Sequence, residues 1–368
     1  MREHAACEPW LRNMQPLAVV GLVRSAASLA FRPPETAATF AAAQHHQFAM
    51  EGWAQTLVAA HQLWDMVDES RLEPAALQRY RALILPNVSC MSRKAAAALR
   101  AYVRAGGILI ATGDTSLFDQ EGRQLPDFQL ADVFGANFAE DRRPQSAELI
   151  LDDPALIPPE KWISPILRFN DGQLHVRAAG QAVCLGRIGC QANHEMLALQ
   201  SFPTAAPGLL RHNFGRGACW YFAGKPGLQF RLYGQSNVKL LLQNILRQAV
   251  GQAAPVRLDA PDSVELFAHR QAGKKHLVVN LVNTFWGVAR SAGGFIRPDG
   301  KVVQARFDEI DAMPRLHSLT LRFPAAGRRR PPRVTLAPSG RALRVRRVED
   351  EFHARLTNVG VHAMLIVE

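Results

Sequence analysis

The sequence predicts an α/β domain on an open parallel sheet with helices on both faces, followed by an antiparallel β-sandwich. Three observations carry this. Ala82-Leu-Ile-Leu85 and Ile108-Leu-Ile-Ala111 are short apolar runs flanking an alanine-rich amphipathic stretch that ends at Gly106-Gly107, the pattern of a parallel βαβ unit. Val238 to Val250 has a helical stripe and runs into Gly251-Gln-Ala-Ala-Pro255, a linker. Beyond residue 255, runs such as Ser263–His269, His276–Val282, Ser318–Phe323 and Val361–Val367 are β-like, several alternating, with Pro/Gly-rich turns between. The expected organisation is a tail at 1–16, an α/β domain at 17–252 and a β domain at 253–368. A length of 368 residues suits two domains.

In order, 17–23 reads as a buried strand and 31–46 as irregular, with Pro33-Pro34 as a breaker. A helix is expected from Glu51, where Trp53, Leu57, Val58, His61 and Leu63 follow helical spacing. Met66-Val67 is a short strand, and 73–80 a short helix with Pro74 near its start. Ala82–Leu85 is the third strand. Ser92 is the N-cap of a helix through Arg104 whose apolar face is Ala96, Leu99, Ala101, Tyr102 and Val103. The fourth strand is 108–111, and 130–135 is a short helix with a glycine stop. Strand-like runs follow at 148–151, 181–185 and 217–222, the last after the turn Phe214-Gly-Arg-Gly217.

Composition excludes several classes. No stretch approaches the ~18–20 apolar residues of a membrane helix, and the N-terminus has no apolar signal core. The five cysteines (7, 90, 184, 190, 219) show no metal spacing; reduced, mostly buried thiols suit a cytoplasmic compartment. The formal charge of +11 arises late, between Arg322 and Arg347. The run Gly327-Arg-Arg-Arg-Pro-Pro-Arg333 has no interleaved aromatics and no recognition-helix signature, so a solvated loop or a patch for an acidic partner chain is expected, not nucleic acid.

The order and spacing of Val20–Ser25, Gly52–Leu57, Tyr80–Asn87, Leu99–Gly107, Ala111–Ser116 and Gly215–Phe222 are similar to the amidotransferase-like middle domain of family 42 glycoside hydrolases, the β-galactosidase trimerisation domain. Residues 255–368 resemble the C-terminal β domain of the same enzymes, best at His276–Asn283. The resemblance implies a flavodoxin-like, class I glutamine-amidotransferase-like fold and a homo-oligomer such as a trimer. That fold carries a nucleophilic cysteine at a sharp strand–helix elbow; here the elbow is Ile110-Ala-Thr-Gly113, with no cysteine. The family's catalytic carboxylates sit on a preceding TIM barrel. A barrel needs ~250 residues, whereas this chain begins about where one would end, so a barrel on a separate chain is the expected alternative partner.

Each candidate chemistry has a plainer reading. Cys90 follows a strand, but not the elbow strand, and reads as a semi-buried thiol. Asn87, Asp114, Thr115 and Ser116 crowd loops at carboxyl strand ends; with Thr112 they either bind a sugar hydroxyl or cap the following turn. Asp152-Asp153 and Glu349-Asp350-Glu351 read as charged turns, not an acid/base pair. His45-His46 lie in an expected loop without a third metal ligand, and His212 is placed at a strand edge. Trp53 and Trp64 are assigned to helical core, whereas Trp162 and Trp220 are candidates for a sugar-binding face. No catalytic residue, metal or cofactor is expected. The function read from this is an accessory and oligomerisation module of a glycoside-hydrolase system. The alternatives are a β-galactosidase-like hydrolase acting with a barrel on another chain, and a sugar-binding protein.

Overall fold

The computed structural model describes residues 2–31, 45–140, 147–157, 166–169, 172–191, 201–274, 276–284, 292–296, 302–306 and 315–368. Contacts divide the chain into two compact units, Ala18–Ala254 and a second made of Met1–Leu17 with Pro255–Glu368.

Residues 1–16, read as a tail, instead form helix α1 (Arg2–Leu11) and strand β1 (Met14–Pro16). The first unit then runs β2 (Val20–Arg24), α2 (Ala26–Ala30), α3 (His45–Ala59), β3 (Trp64–Asp68), α4 (Pro74–Leu77), β4 (Ala82–Leu85), α5 (Arg93–Arg104), β5 (Ile108–Thr112) and α6 (Ala131–Phe134). It continues through β6 (Ala136–Glu140), β7 (Ala147–Leu151), β8 (Ile166–Phe169), β9 (His175–Ala178), β10 (Val183–Gln191), β11 (Ser201–Phe214) and β12 (Gly217–Phe222), and closes with α7 (Pro226–Tyr233) and α8 (Ser236–Val250).

The central sheet has the order β3-β2-β4-β5-β12-β11-β10-β7-β8. Strands β3 to β12 are mutually parallel, and β12-β11-β10-β7-β8 pair antiparallel, so the sheet is mixed where a parallel sheet was expected. The cause is local: the turn at Gly215 folds β11 directly back on β12, and a hairpin can only be antiparallel.

Every residue of β4 is buried, as is β12 throughout, which explains why these runs are continuously apolar. On one face Val23, Leu83, Leu85, Leu109, Ala111 and Tyr221 join Leu77 of α4, Leu99 and Tyr102 of α5 and Phe134 of α6 in one cluster. Ser92 caps α5 as expected, its hydroxyl accepting from the Ala95 amide. Ala101, assigned to the apolar face, is exposed; Ala95 and Ala98 are buried instead.

Helix α3 begins at His45 rather than Glu51, so His45 and His46 are helical, not in a loop. It crosses α7 where Gly52 faces Gly227: a Cβ on Gly52 would overlap the Gly227 carbonyl, and one on Gly227 would lie 2.6 Å from the Ala49 carbonyl. Trp53, fully buried, fills the space beside this crossing. Trp64 lies on β3 and is partly exposed, not in a helix.

In the second unit come β13 (Arg257–Asp259), β14 (Val264–Gln271), β15 (Leu277–Asn283), β16 (Ala292–Ile296), β17 (Val302–Arg306), β18 (Leu316–Pro324), β19 (Val334–Ala337), β20 (Arg341–Ala342), β21 (Val345–Val348), β22 (Glu351–Val359) and β23 (His362–Val367). One antiparallel sheet has the order β1-β14-β15-β23-β19-β20 and another β13-β18-β22-β21. Alternation of burial along β14, β18 and β22 follows the two-residue period. The tail expectation missed α1 because its apolar residues are few: Cys7, Trp10 and Leu11 pack on Val278, Met364 and Ile366, and Gln271 Nε2 donates to the Pro9 carbonyl.

Gly52→Ala is expected to destabilise the chain by about 1–3 kcal/mol, since neither helix backbone can yield without unpacking Trp53; urea unfolding of the variant measures it, and wild-type stability would refute the crossing.

Candidate functional site at the carboxyl edge of the parallel strands

Open α/β sheets present their chemistry beyond the carboxyl ends of the parallel strands. Here those ends carry Ser25 after β2, Glu69 after β3, Asn87 after β4, Gly113-Asp114 after β5 and Lys225 after β12.

The four residues singled out from sequence are brought together, and all are buried: Asn87, Asp114, Thr115 and Ser116 are each at most 3% exposed. The Asn87 amide donates to Thr112 Oγ1 (2.9 Å) and the Val88 amide to Thr115 Oγ1 (3.1 Å). Thr115 Oγ1 donates to the Thr112 carbonyl (2.7 Å). Ser89 Oγ donates to Asp114 Oδ1 at 2.7 Å, and Ser116 Oγ accepts from the Leu130 amide at 3.3 Å. Amides of Ser116 and Phe118 donate to carbonyls of Val88 and Ser89, so the loops after β4 and β5 are zipped together. Asn87 (φ 57°) and Ser116 (φ 63°) both adopt the left-handed conformation, uncommon for non-glycine residues.

Gly113 is required here: its φ is 59°, and a Cβ would lie 2.2 Å from Asn87 Oδ1. Tyr221 donates its hydroxyl to the Gly113 carbonyl at 2.9 Å. Burial pushes the Tyr221 phenol well above its ordinary value, and the Asp114 charge adds to this, so it stays a donor. Asn87 Oδ1 is buried with no hydrogen-bond partner among the described residues.

A second cluster, not singled out from sequence, spans the ends of β2, β3 and β4. Ser25 Oγ donates to Glu69 Oε2 at 2.5 Å and accepts from the Ser28 amide, capping α2. His46 is buried; its Nε2 accepts from the Ser25 amide (2.9 Å) and its Nδ1 faces the Pro86 carbonyl (2.8 Å). An amide must donate and a carbonyl must accept, so the ring is neutral with its proton on Nδ1. Both nitrogens are thereby used in tying β2 to β4. Ser28 Oγ accepts from the Cys90 amide, and Cys90 Sγ donates to the Phe31 carbonyl (3.5 Å), which gives the thiol a packing role. The sequence signal for this cluster was Ser25 closing the first strand motif; the histidine could not be placed because its helix starts earlier than its periodicity shows.

Burial, foremost, raises the Glu69 carboxyl above its ordinary value, while bonds from Ser25 and the Ser92 backbone oppose the rise. Between the ordinary and the raised value the folded chain binds more protons than the unfolded chain, so this residue's contribution to stability falls as pH rises.

Other sequence candidates sit elsewhere. His212 lies on β11, which is flanked by β10 and β12; it is not at a sheet edge, and its Nδ1 faces the Val133 carbonyl. Asp152 pairs with Arg187, and Glu351 pairs with Arg257 and Arg322. Trp220 is buried under Arg211, and Trp162 falls outside the described residues. Among the described residues no group of three His, Cys, Asp or Glu could hold a metal, and no helix is long and apolar enough to cross a membrane.

With this geometry in view, the comparisons fall into place. Residues 33–145, which include β3, β4, α5 and β5, match the β-galactosidase trimerisation domain. The whole chain superposes on an α-L-fucosidase isoenzyme 2 from Paenibacillus thiaminolyticus (TM-score 0.70, 18% identity, 100% of this chain and 51% of that one). It also superposes on a β-galactosidase from Bacillus circulans sp. alkalophilus (TM-score 0.65, 16% identity, 100% and 44%). A cold-adapted β-galactosidase from Rahnella sp. R3 gives a TM-score of 0.60 at 15% identity over 96% and 41%. At such identities the likeness is one of fold, and the chain spans about half or less of each of these relatives. No curated protein matches by sequence. The family model bears out the resemblance to the trimerisation domain over residues 33–145, and over the rest of the chain the solved structures share the fold.

Thr115→Val keeps shape but strips the acceptor from the buried Val88 amide; a loss of about 1–3 kcal/mol is expected in chemical denaturation. Glu69→Gln keeps an acceptor for Ser25 and removes the titration. Melting temperatures measured from pH 4 upward should therefore decline less with pH in Glu69→Gln than in the wild type, and parallel curves would contradict the assignment.

Proposed function

We propose that the chain is a non-catalytic accessory and oligomerisation module of a β-galactosidase-like glycoside-hydrolase system in carbohydrate metabolism, working in the cytoplasm as a trimer or other homo-oligomer. The observation that carries this reading is the match of residues 33–145 to the β-galactosidase trimerisation domain. The parallel strand order β3-β2-β4-β5-β12 fits a flavodoxin-like, amidotransferase-like domain at 17–252, and two antiparallel sheets with alternating burial fit a β-sandwich at 253–368. The polar side chains at the carboxyl edge are engaged with one another and with backbone, which suits loops that are shaped rather than reactive. Asn87, Asp114, Thr115 and Ser116 then act by fixing the two loops that would line a neighbouring subunit's site.

A second reading, a hydrolase acting with a barrel on another chain, is favoured by the coverage of about half of each enzyme relative. A third, direct carbohydrate binding at this edge, is favoured by the unpartnered Asn87 Oδ1.

Light scattering and a nitrophenyl-glycoside panel on the purified chain test the proposal together. A closed oligomer without turnover is expected. Turnover that a single carboxylate substitution abolishes would overturn it, and a monomer would remove the oligomerisation role.

A further inference from the structure

Nine arginines and no acidic residue lie between positions 322 and 347, in a chain whose formal net charge is +11. Arg322 is engaged with Asp259 (2.6 Å) and Glu351 (3.7 Å). The other eight are exposed, and none forms an ion pair with a described residue. Arg328, Arg329, Arg330 and Arg333 occupy the loop before β19; Arg341 is on β20, Arg344 follows it, and Arg346 and Arg347 are on β21.

The fold gathers them on one border. Strand β20 is the edge of the first sheet of this unit and β21 the edge of the second, and only residues 343 and 344 separate them. The Leu343 amide donates to the Val334 carbonyl (2.8 Å), which ties the β20–β21 junction to the residue after Arg333. The Ala325 amide donates to the Asp350 carbonyl (2.8 Å), which ties the start of the arginine loop to the β21–β22 turn. Both ends of the segment are therefore anchored. Pro331-Pro332 stiffens the loop between them.

We propose that this border is a docking surface for an acidic segment of a partner polypeptide, read by guanidinium forks. The choice of arginine, with no lysine in the segment, favours bidentate carboxylate pairing and matches the enrichment of arginine and depletion of lysine at protein interfaces. From Pro324 to Glu351 there is no aromatic residue, so bases have no stacking platform and a lipid interface has no aromatic anchor. Edge protection alone would be served as well by any charge.

The test uses the full chain and fluorescent poly-L-glutamate, with heparin and a DNA duplex as competitors, at about 50 and about 200 mM salt. Poly-L-glutamate should bind, and the quadruple variant Arg341→Lys, Arg344→Lys, Arg346→Lys, Arg347→Lys should bind more than about tenfold more weakly although its charge is unchanged. Matched thermal melting verifies that the variant folds. Three results would each overturn the proposal: no poly-L-glutamate binding at the lower salt, equal binding by the lysine variant, or preference for the duplex or heparin at equal charge.

Discussion

Two threonine hydroxyls hold the candidate site together. Thr112 and Thr115, on and just after β5, accept hydrogen bonds from the amides of Asn87 and Val88, just after β4. Both residues are buried; the Asn87 amide also reaches the Leu85 carbonyl (2.9 Å), whereas the Val88 amide, without the Thr115 hydroxyl, would be an orphaned donor. A buried hydrogen bond contributes only about 1 kcal/mol net, yet leaving its donor unmet costs up to about 3. That asymmetry makes the bracing obligatory. Asn87 and Ser116 can hold left-handed conformations, and Gly113 can leave its Cβ space to Asn87 Oδ1, because the surrounding bonds over-determine them.

The same logic extends to the neighbouring strand ends. His46, Ser25, Ser28 and Cys90 join the ends of β2 and β4 through bonds that use both imidazole nitrogens. An amidotransferase would need a thiolate and a free base at such an edge; here β5 ends in Ala111-Thr112, and both ring nitrogens of His46 are engaged with backbone. With these groups engaged in structure, the proposed assembly role and the proposed arginine border both rest on outer surfaces of the chain.

Much of the first unit was legible because its signals are local. The β4–α5–β5 segment, the Ser92 cap and β12 fall where apolar runs, capping chemistry and glycine turns put them. What escaped had tertiary causes. Helix α1 has a weak apolar stripe and is held by packing on Val278 and Met364. Helix α7, which received no assignment from sequence, opens on Pro226-Gly227 and packs Gly227 against α3 at Gly52. The antiparallel half of the central sheet starts at the local Gly215 hairpin, but its outer strands depend on long-range pairing of β10, β7 and β8. At the site, sequence brought Asn87, Asp114, Thr115 and Ser116 to one edge but could not show that they bond mainly to each other's loops, since ligand binding and turn capping use the same side chains.

Native-state hydrogen exchange at the amides of Asn87, Val88 and Ser116 tests the account most directly. If the carboxyl edge is the locked scaffold described here, these three amides exchange only through global unfolding, with the free energy of the β4 and β5 core. Exchange through a local opening several kcal/mol cheaper, or protection that rises sharply when galactose is added, would show instead a loop pair waiting for a ligand.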